Sequence, residues 1–598
     1  MSSLSDQLSD HFTPGASGVG DSLYPNFGNG GYDATHYQVN LNITDVATST
    51  LDATTNINAI ATQDLSSFNL DFIGFTVNEI TVNGESAQFS RNGQELTIIP
   101  PEFITTGETF NVAVNYSGAP TPINSVAFTF PVPTGWIITE NGSFVLSEPD
   151  GAANFYPVND HPLDRASYTF NVTVPEPYEV AANGVLEQTL DNGETTTYTF
   201  EARDPMVSYL TTINIDQDFK LETSISESGV LIRNYFASDI AQEKLELFDL
   251  QPAMVDFFSE IYGTYPFEVY GAVVVNAETG SALETQTLSI FGVDTLDRED
   301  LEGTIAHETA HQWFGNHLAL SDWQDIWLNE SLATYSQGLW VEHSQGALAL
   351  DEWVKEQYSF IAENFDTLVI PGAPPKDDLF NSAVYEWGAL GLHALRLAIG
   401  DDDFFASLRT YYDRYSGDNV KPEDFIAVVK EISQEDVQLF DRWIYSDTLA
   451  SIPELNLFAG TLQNDILCGT SADELYSGLA GDDTIYGNGG MDTLIGNGGD
   501  DIIYGNGSED FIDGGEGSDI IWLCGAATVV LATGVGSDTL NNFQLASTKL
   551  QIGDIDINSL SFFDSSRGAQ IFQSEDLLAT ITGESASTLS DNVTDIFV

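Results

Sequence analysis

Residues 304–331 read TIAHETAHQWFGNHLALSDWQDIWLNES. On a helix, residues four apart sit one turn apart on the same face, so His307 and His311 can aim two imidazoles at one ion. Glu308 lies beside them, near the ion but not needed as a ligand. Ala306, Ala310 and Trp313 form an adjacent apolar stripe that can pack the helix down. Ser321 with Gln324 fits a capping box, so a second helix is expected to start there. That helix would carry Glu330, 19 residues past His311, into reach as a third ligand. Two histidines and one glutamate suit a single Zn2+ with a fourth position left for water. Glu308 then stands as general base for that water. His317 falls off the ligand face and reads as structural, and His343 and His393 show no partner in the sequence.

Around this stretch the chain runs to 598 residues, long enough for three or four domains. With 42% hydrophobic and 11% aromatic residues it can fill its cores. Its 17 Lys+Arg stand against 91 Asp+Glu, a net charge of −74, which excludes the basic face that a nucleic-acid binder needs. An acidic bias of this size suits high salt or the binding of divalent cations. Cys468 and Cys524 are too few for a disulfide framework. No stretch of about 18 apolar residues is present, so no membrane span is expected. The first 25 residues show no basic region followed by an apolar one, so a cleaved secretory signal is not expected.

The first 215 or so residues alternate apolar and polar positions, as in Tyr37, Val39, Leu41, Ile43, in Phe110, Val112, Val114, Tyr116, and in Tyr168, Phe170, Val172, Val174. This period of two marks half-buried strands, and Asn192-Gly193 signals a hairpin. From about 240 to 450 the pattern turns helical. Past Pro453 it changes again: no Lys or Arg occurs from Ile444 to Ser547, and a nine-residue repeat begins at Gly460 and holds for seven units. Each unit has a carboxylate at its sixth place (Asp465, Glu474, Asp483, Asp492, Asp501, Asp510, Asp519) and an apolar residue at its eighth.

The HExxH motif, its glutamate after 18 intervening residues, and the flanking WFGN and WLNE resemble the aminopeptidase N-type zinc peptidases. LYPNFGNGGYDATHYQVNLNI and SEPDGAANFYPVNDHPLDRASYTFNVTVP resemble two further landmarks of that family. The resemblance implies an N-terminal β-saddle domain, a thermolysin-like and mostly α-helical catalytic domain, and peptide substrates with free N-termini. It also implies two carboxylates that catch the α-ammonium. The family's Gly-x-Met-Glu-Asn loop matches Ser281, Ala282, Leu283, Glu284 and Thr285, so Glu284 is one; Glu148 matches the other. Tyr385, three residues before Gly388 in the matching segment, would donate to the oxyanion. Related enzymes add a helical domain over the cleft, and the few residues between Pro453 and Gly460 cannot form one, so a more open cleft is expected.

The nonads resemble the RTX motif GGxGxDxUx, which implies a parallel β-roll with 18 residues per turn and several structural Ca2+ ions. Asp465, Asp483, Asp492, Asp501, Asp510 and Asp519 would be the calcium aspartates, with Glu474 a weaker substitute. RTX proteins use type I secretion machinery, which would place the protein outside the cell, and the terminal DIFV looks like an uncleaved signal. The expected fold is therefore multidomain α+β. It comprises a tail at 1–22, a β-saddle domain at 23–216, the zinc catalytic domain at 217–453, an RTX β-roll at 454–524, and a β-rich cap with the secretion signal at 525–598. A secreted, calcium-stabilised zinc aminopeptidase is the leading expectation. A thermolysin-like endopeptidase is favoured if Glu284 lies away from the zinc site, and a non-catalytic surface or adhesion protein is the other alternative.

Overall fold

The computed structural model describes residues 11–435, 438–507, 509–534, 536–553 and 555–598, with residue 439 described by its backbone alone. The first ten residues of the expected tail thus lie outside the described residues. Two compact units are present. One runs through Ser344 and adds Gly372–Tyr385 and Leu395 onward to the break at 436; the other gathers Gln345–Pro371, Glu386–Ala394 and Gln438–Val598.

In the first unit, alternation becomes an eight-stranded sheet. Its centre is Arg165–Pro175, Tyr32–Asp45, Thr50–Ala61 and Thr109–Gly118, mostly antiparallel, with the first two parallel. Tyr37, Val39, Leu41 and Ile43 face the core, while Gln38, Asn40 and Asn42 face out. The hairpin at Asn192-Gly193 joins Val185–Asp191 to Thr195–Val207. A second sheet contains Ser143–Leu146, which ends two residues before Glu148 and so delivers it to the site.

A five-stranded sheet takes Leu231–Ala237 from just before the segment read as helical and, from within it, Ala272–Val275 and Ser289–Gly292. These last two strands are four residues long and wholly buried, so they carry no alternation to read. At its start the pattern expected to be helical from about 240 forms an α-helix over Gln251–Tyr262, with tighter turns before it. Helices Leu301–Ala310 and Trp327–Gln345 carry the metal motif. The expected cap at Ser321 is corrected to Asp322, whose carboxylate accepts from the Gln324 N–H at 3.1 Å. Ser321 is still engaged with a neighbouring strand, donating its N–H to the Val420 carbonyl, so the turn starts one residue later.

In the second unit, the nonads form two parallel sheets. Ile466–Cys468, Thr484–Tyr486, Ile502–Tyr504 and Ile520–Trp522 stack in one, in an 18-residue register. Leu457–Ala459, Leu475–Ser477, Thr493–Ile495 and Asp510–Asp513 stack in the other. Between them Ile485, Leu494, Ile503, Ile512 and Ile521 are fully buried, the eighth position of each nonad. Both sheets continue past the repeat, through Thr548–Gln551 and Asp576–Thr582. Asn497 reaches helix Ala347–Glu363 of the same unit, donating to the Ala362 carbonyl at 2.6 Å. Among the described residues no helix is long and apolar enough to cross a membrane.

Gly499 shows why the nonad needs glycine at its fourth place. Its φ is +137°, and an added Cβ would lie 2.1 Å from the Gly481 carbonyl oxygen one turn below. Gly499→Ala is therefore expected to destabilise the calcium-loaded roll by at least roughly 1–3 kcal/mol, read as a lower midpoint of its thermal unfolding.

Candidate metal centre

Helix Leu301–Ala310 is buried on nearly every side and starts at Asp300, whose carboxylate accepts from the Gly303 N–H. His307 lies in its last turn and His311 just past its end. The His307 and His311 Nε2 atoms are 2.9 Å apart, and each lies 3.3 Å from Glu330 Oε2. Ligands about 2.0–2.1 Å from a tetrahedral zinc stand about 3.3 Å from one another, so the three residues fit that ion.

The outer partners fix the ring orientations. His311 Nδ1–H donates to the Phe314 carbonyl at 3.0 Å, which leaves Nε2 with a free lone pair for a metal. His307 Nδ1 faces Gln337 Oε1 at 3.3 Å and Thr334 Oγ1 at 3.4 Å. Glu330, Thr334 and Gln337 follow one another at helical spacing on one face of Trp327–Gln345. Gln337 also donates to Asp300, the cap of the first helix, and Trp340 Nε1 donates to Glu302 at 2.7 Å. The two helices are thus pinned at the level of the ligands.

Glu308, Glu284 and Glu148 crowd the same pocket. Ligand oxygens of Glu148, Glu284 and Glu330 all lie within 4.8 Å of one another. Glu308 Oε2, Glu284 Oε1 and Glu148 Oε1 are buried with no hydrogen-bond partner. Burial, then repulsion from Glu284, Glu330 and Glu308, pushes the Glu148 carboxyl well above the usual range. Glu308 is pushed up mainly by burial, and Glu284 rises to about 7 for the same reason, with Tyr209 donating to it. Burial pushes the His311 imidazole down, but Glu330 and then Glu284 outweigh it and bring it up to about 10. Four carboxylates around two imidazoles call for added positive charge, and unpaired buried oxygens show where it would sit.

Tyr385 sits on a wide helical turn, Ala383–Trp387, anchored where Ser331 Oγ donates to the Val384 carbonyl at 2.7 Å. Its ring centre lies 6.0 Å from that of His307. His317 stands apart: its Nδ1 meets the Tyr412 hydroxyl at 2.9 Å, and burial takes it down to about 4. Sequence reasoning missed Tyr209, Gln312 and Asn316, all of which touch Glu284. Gln312 and Asn316 lie inside the quoted stretch, but their partner is too far along the chain for spacing to reveal.

In the roll, Asp483, Asp492 and Asp501 accept through Oδ1 from the backbone N–H of Asp465, Glu474 and Asp483, 18 residues earlier. Asp510 and Asp519 accept likewise from Asp492 and Asp501. All five keep a buried Oδ2 without a partner, which fits a cation between turns. Asp465 differs, because its Oδ2 already takes the Thr461 N–H and hydroxyl, each at 2.7 Å. Asp538, missed in the sequence, extends the column by accepting from the Asp519 N–H at 3.2 Å. One inserted residue broke the nonad count, although GSD still marks it. Cys468 and Cys524 are free and exposed.

A family model described as peptidase family M1 domain matches residues 247–443, and one described as peptidase M1 N-terminal domain matches 33–210. The RTX calcium-binding nonapeptide repeat matches 469–498 and 486–521. The chain is similar to glutamyl aminopeptidase of Homo sapiens, 26% identical over 332 residues, covering 51% of this chain and 34% of that protein. It is 24% identical over 400 residues to aminopeptidase N of Streptomyces lividans, covering 63% and 46%. It thus spans about a third to a half of these curated relatives. A mutant M1 zinc metallopeptidase of Deinococcus radiodurans, crystallised with a Tyr-Ser-Ala substrate, is 30% identical with a TM-score of 0.67, over 73% of this chain and 100% of that one. A two-domain M1 zinc metallopeptidase with L-tryptophan is 29% identical with a TM-score of 0.67, over 73% and 99%.

The roll carries a pH signature. Burial, then repulsion from the neighbouring turns, raises Asp483 and Asp501 to about 7, from the ordinary 3.8. Between those values the folded roll without calcium holds protons that the unfolded chain has lost. Its stability is therefore present at low pH and lost as pH rises through about 7. In chelator, the roll should gain β-sheet circular dichroism on acidification from pH 8 to 5, whereas calcium should restore it at pH 8. Calcium titrations should show weaker apparent affinity as pH falls.

Proposed function

The chain belongs to peptidase family M1, and on that footing we propose that it is a zinc aminopeptidase, held in shape by calcium on its RTX repeats and working outside the cell. The observation that carries the exopeptidase part is the closeness of the Glu148 and Glu284 carboxylate oxygens to Glu330, within 4.8 Å. Two carboxylates beside the metal ligand suit a free α-ammonium, and they disfavour an uncharged peptide N–H at the same place.

His307, His311 and Glu330 would hold the zinc. When bound there, zinc supplies Lewis acidity, which eases the ionisation of water and polarises a carbonyl. Glu308 takes a proton from the attacking water and passes it to the leaving amine. Its buried carboxylate, pushed up in pKa, suits both halves of that transfer. Tyr385 donates its hydroxyl to the oxygen that gains charge as the carbonyl carbon becomes tetrahedral. Glu284 and Glu148 hold the substrate's amino end, so the first peptide bond falls at the centre.

Export is supported by the RTX repeats, whose unpaired aspartate oxygens would be filled where calcium is abundant and left repelling where it is scarce. Type I secretion machinery and peptides with free N-termini are the partners this reading requires. The open cleft expected from the sequence implies that long peptides are trimmed about as fast as short ones; a series from three to twenty residues, followed by mass spectrometry, checks it.

The central test compares aminoacyl-p-nitroanilides with their N-acetyl forms, with and without chelator. Free amines should be cleaved and blocked ones spared, and chelation should abolish the cleavage. Equal cleavage of blocked substrates would point to an endopeptidase. Glu308→Gln should lower kcat by at least ~10³-fold with zinc retained, and Tyr385→Phe by roughly 10²–10³-fold with KM little changed.

A further inference from the structure

The loop that carries Glu284 is strained. Thr287 has a φ of +66°, in the left-handed region that a β-branched residue avoids. The loop turns back so that Leu283 and Ile290 pair, with the Leu288 N–H closing onto the Thr285 carbonyl at 3.0 Å. Such a turn persists only if its surroundings hold it. Asn183 donates to the Gln286 carbonyl at 2.7 Å, and the Gly184 N–H donates to Thr287 Oγ1 at 2.8 Å.

The remaining grip comes from the metal ligand's own segment. Gln312, directly after His311, is fully buried. Its Oε1 accepts from the Thr287 N–H at 2.9 Å, and its Nε2 donates to the Glu284 carbonyl at 3.1 Å. Asn316 Nδ2 donates to the same carbonyl at 2.7 Å. Both lone pairs of that oxygen are then engaged, which fixes the peptide plane from which the Glu284 side chain projects. The segment that grips is itself rigid. The Asn316 N–H donates to the His311 carbonyl at 3.0 Å, and Gly315 passes so close that a Cβ would lie 3.0 Å from His311 Nδ1. Arg165 holds the Asn316 carbonyl from the other side at 3.1 Å.

We propose that Gln312 and Asn316 are positioning residues that set the spacing between the Glu284 carboxylate and the metal ligand His311, and so fix which bond of the peptide reaches the centre. This rests on Glu284 binding the α-ammonium. A side-chain amide suits the task because it offers a donor and an acceptor without charge. A charged residue there would disturb a pocket already crowded with carboxylates.

The test is a cycle of Gln312→Leu and Glu284→Gln, singly and together, on aminoacyl-p-nitroanilides, with zinc content measured for each variant. Gln312→Leu keeps the side chain's bulk and removes the amide. Alone it should raise KM for free-amine substrates by ~10–100-fold while kcat falls less and one zinc per chain is retained. In the Glu284→Gln background the same change should alter KM by less than about twofold, since the group it aims is already gone. Effects that multiply in the double variant, or a loss confined to kcat, overturn the proposal. If Gln312→Leu fails to retain zinc, Asn316→Leu carries the same cycle with the same expectations. Should the wild-type protein cleave N-acetylated and free substrates equally, the aminopeptidase reading falls and this proposal with it. Discrimination in the wild type with multiplying effects sinks this proposal alone.

Discussion

Buried carboxylates without cations of their own are the constraint that organises this protein. Around His307 and His311 the chain packs Glu148, Glu284, Glu308 and Glu330, and leaves three of their oxygens without a hydrogen-bond partner. In the roll it repeats the device, with five aspartates presenting one oxygen each into the same kind of space. An ionised carboxylate kept from water and unpaired is costly, so each cluster is stable only with positive charge brought in from outside. The two sites differ in what their donors suit. Imidazole nitrogen with one carboxylate favours zinc, whereas oxygen donors stacked on a regular backbone favour calcium.

The clusters also differ in how the fold supplies geometry. At the metal centre, two helices are locked by Asp300, Gln337 and the pair of Trp340 with Glu302. The helix-borne groups therefore sit on rigid elements, whereas Glu284 and Glu148 depend on loops. In the roll no single element is rigid; a three-residue strand has little stability alone. Order comes from the 18-residue register, which brings each aspartate over the next and each eighth-position side chain into one column. At the centre an ion would neutralise groups already carried on two packed helices, whereas in the roll it would also draw successive turns together.

Much of this was legible in the sequence because its signals are local or periodic. HExxH is one helical turn, Glu330 follows within the same stretch, and the nonads announce themselves by repetition. The first sheet was legible in Tyr37, Val39, Leu41 and Ile43, where one face is wet. The strands Ala272–Val275 and Ser289–Gly292 were not, because burial on both faces erases the alternation. Asp538 escaped because one extra residue breaks the count, and the Ser321 cap was displaced by a strand pairing that only the tertiary fold creates. Tyr209, Gln312 and Asn316 were invisible for a different reason. Their meaning lies in contacts with Glu284, tens of residues away, and hydrogen-bond chemistry leaves no periodic trace.

The acidity of the chain explains why amides hold so many of its joints. With 17 Lys+Arg for 91 Asp+Glu, there are few cations to tie distant segments together. Those present often pair at the surface, as Arg203 does with Glu187, Glu201 and Glu268, where an ion pair contributes little. Inside, many of the junctions fall to Asn and Gln. Asn159 joins Asn29 to Asp164, Asn183 holds the Glu284 loop, Gln312 and Asn316 tie it to the metal helix, and Asn497 ties the roll to helix Ala347–Glu363. An amide adds no charge to a molecule that carries too much of one sign, and it can satisfy a carbonyl and an N–H at once. Because its strength does not depend on Coulomb attraction across solvent, it is little weakened by the salt and divalent cations that so acidic a protein needs around it.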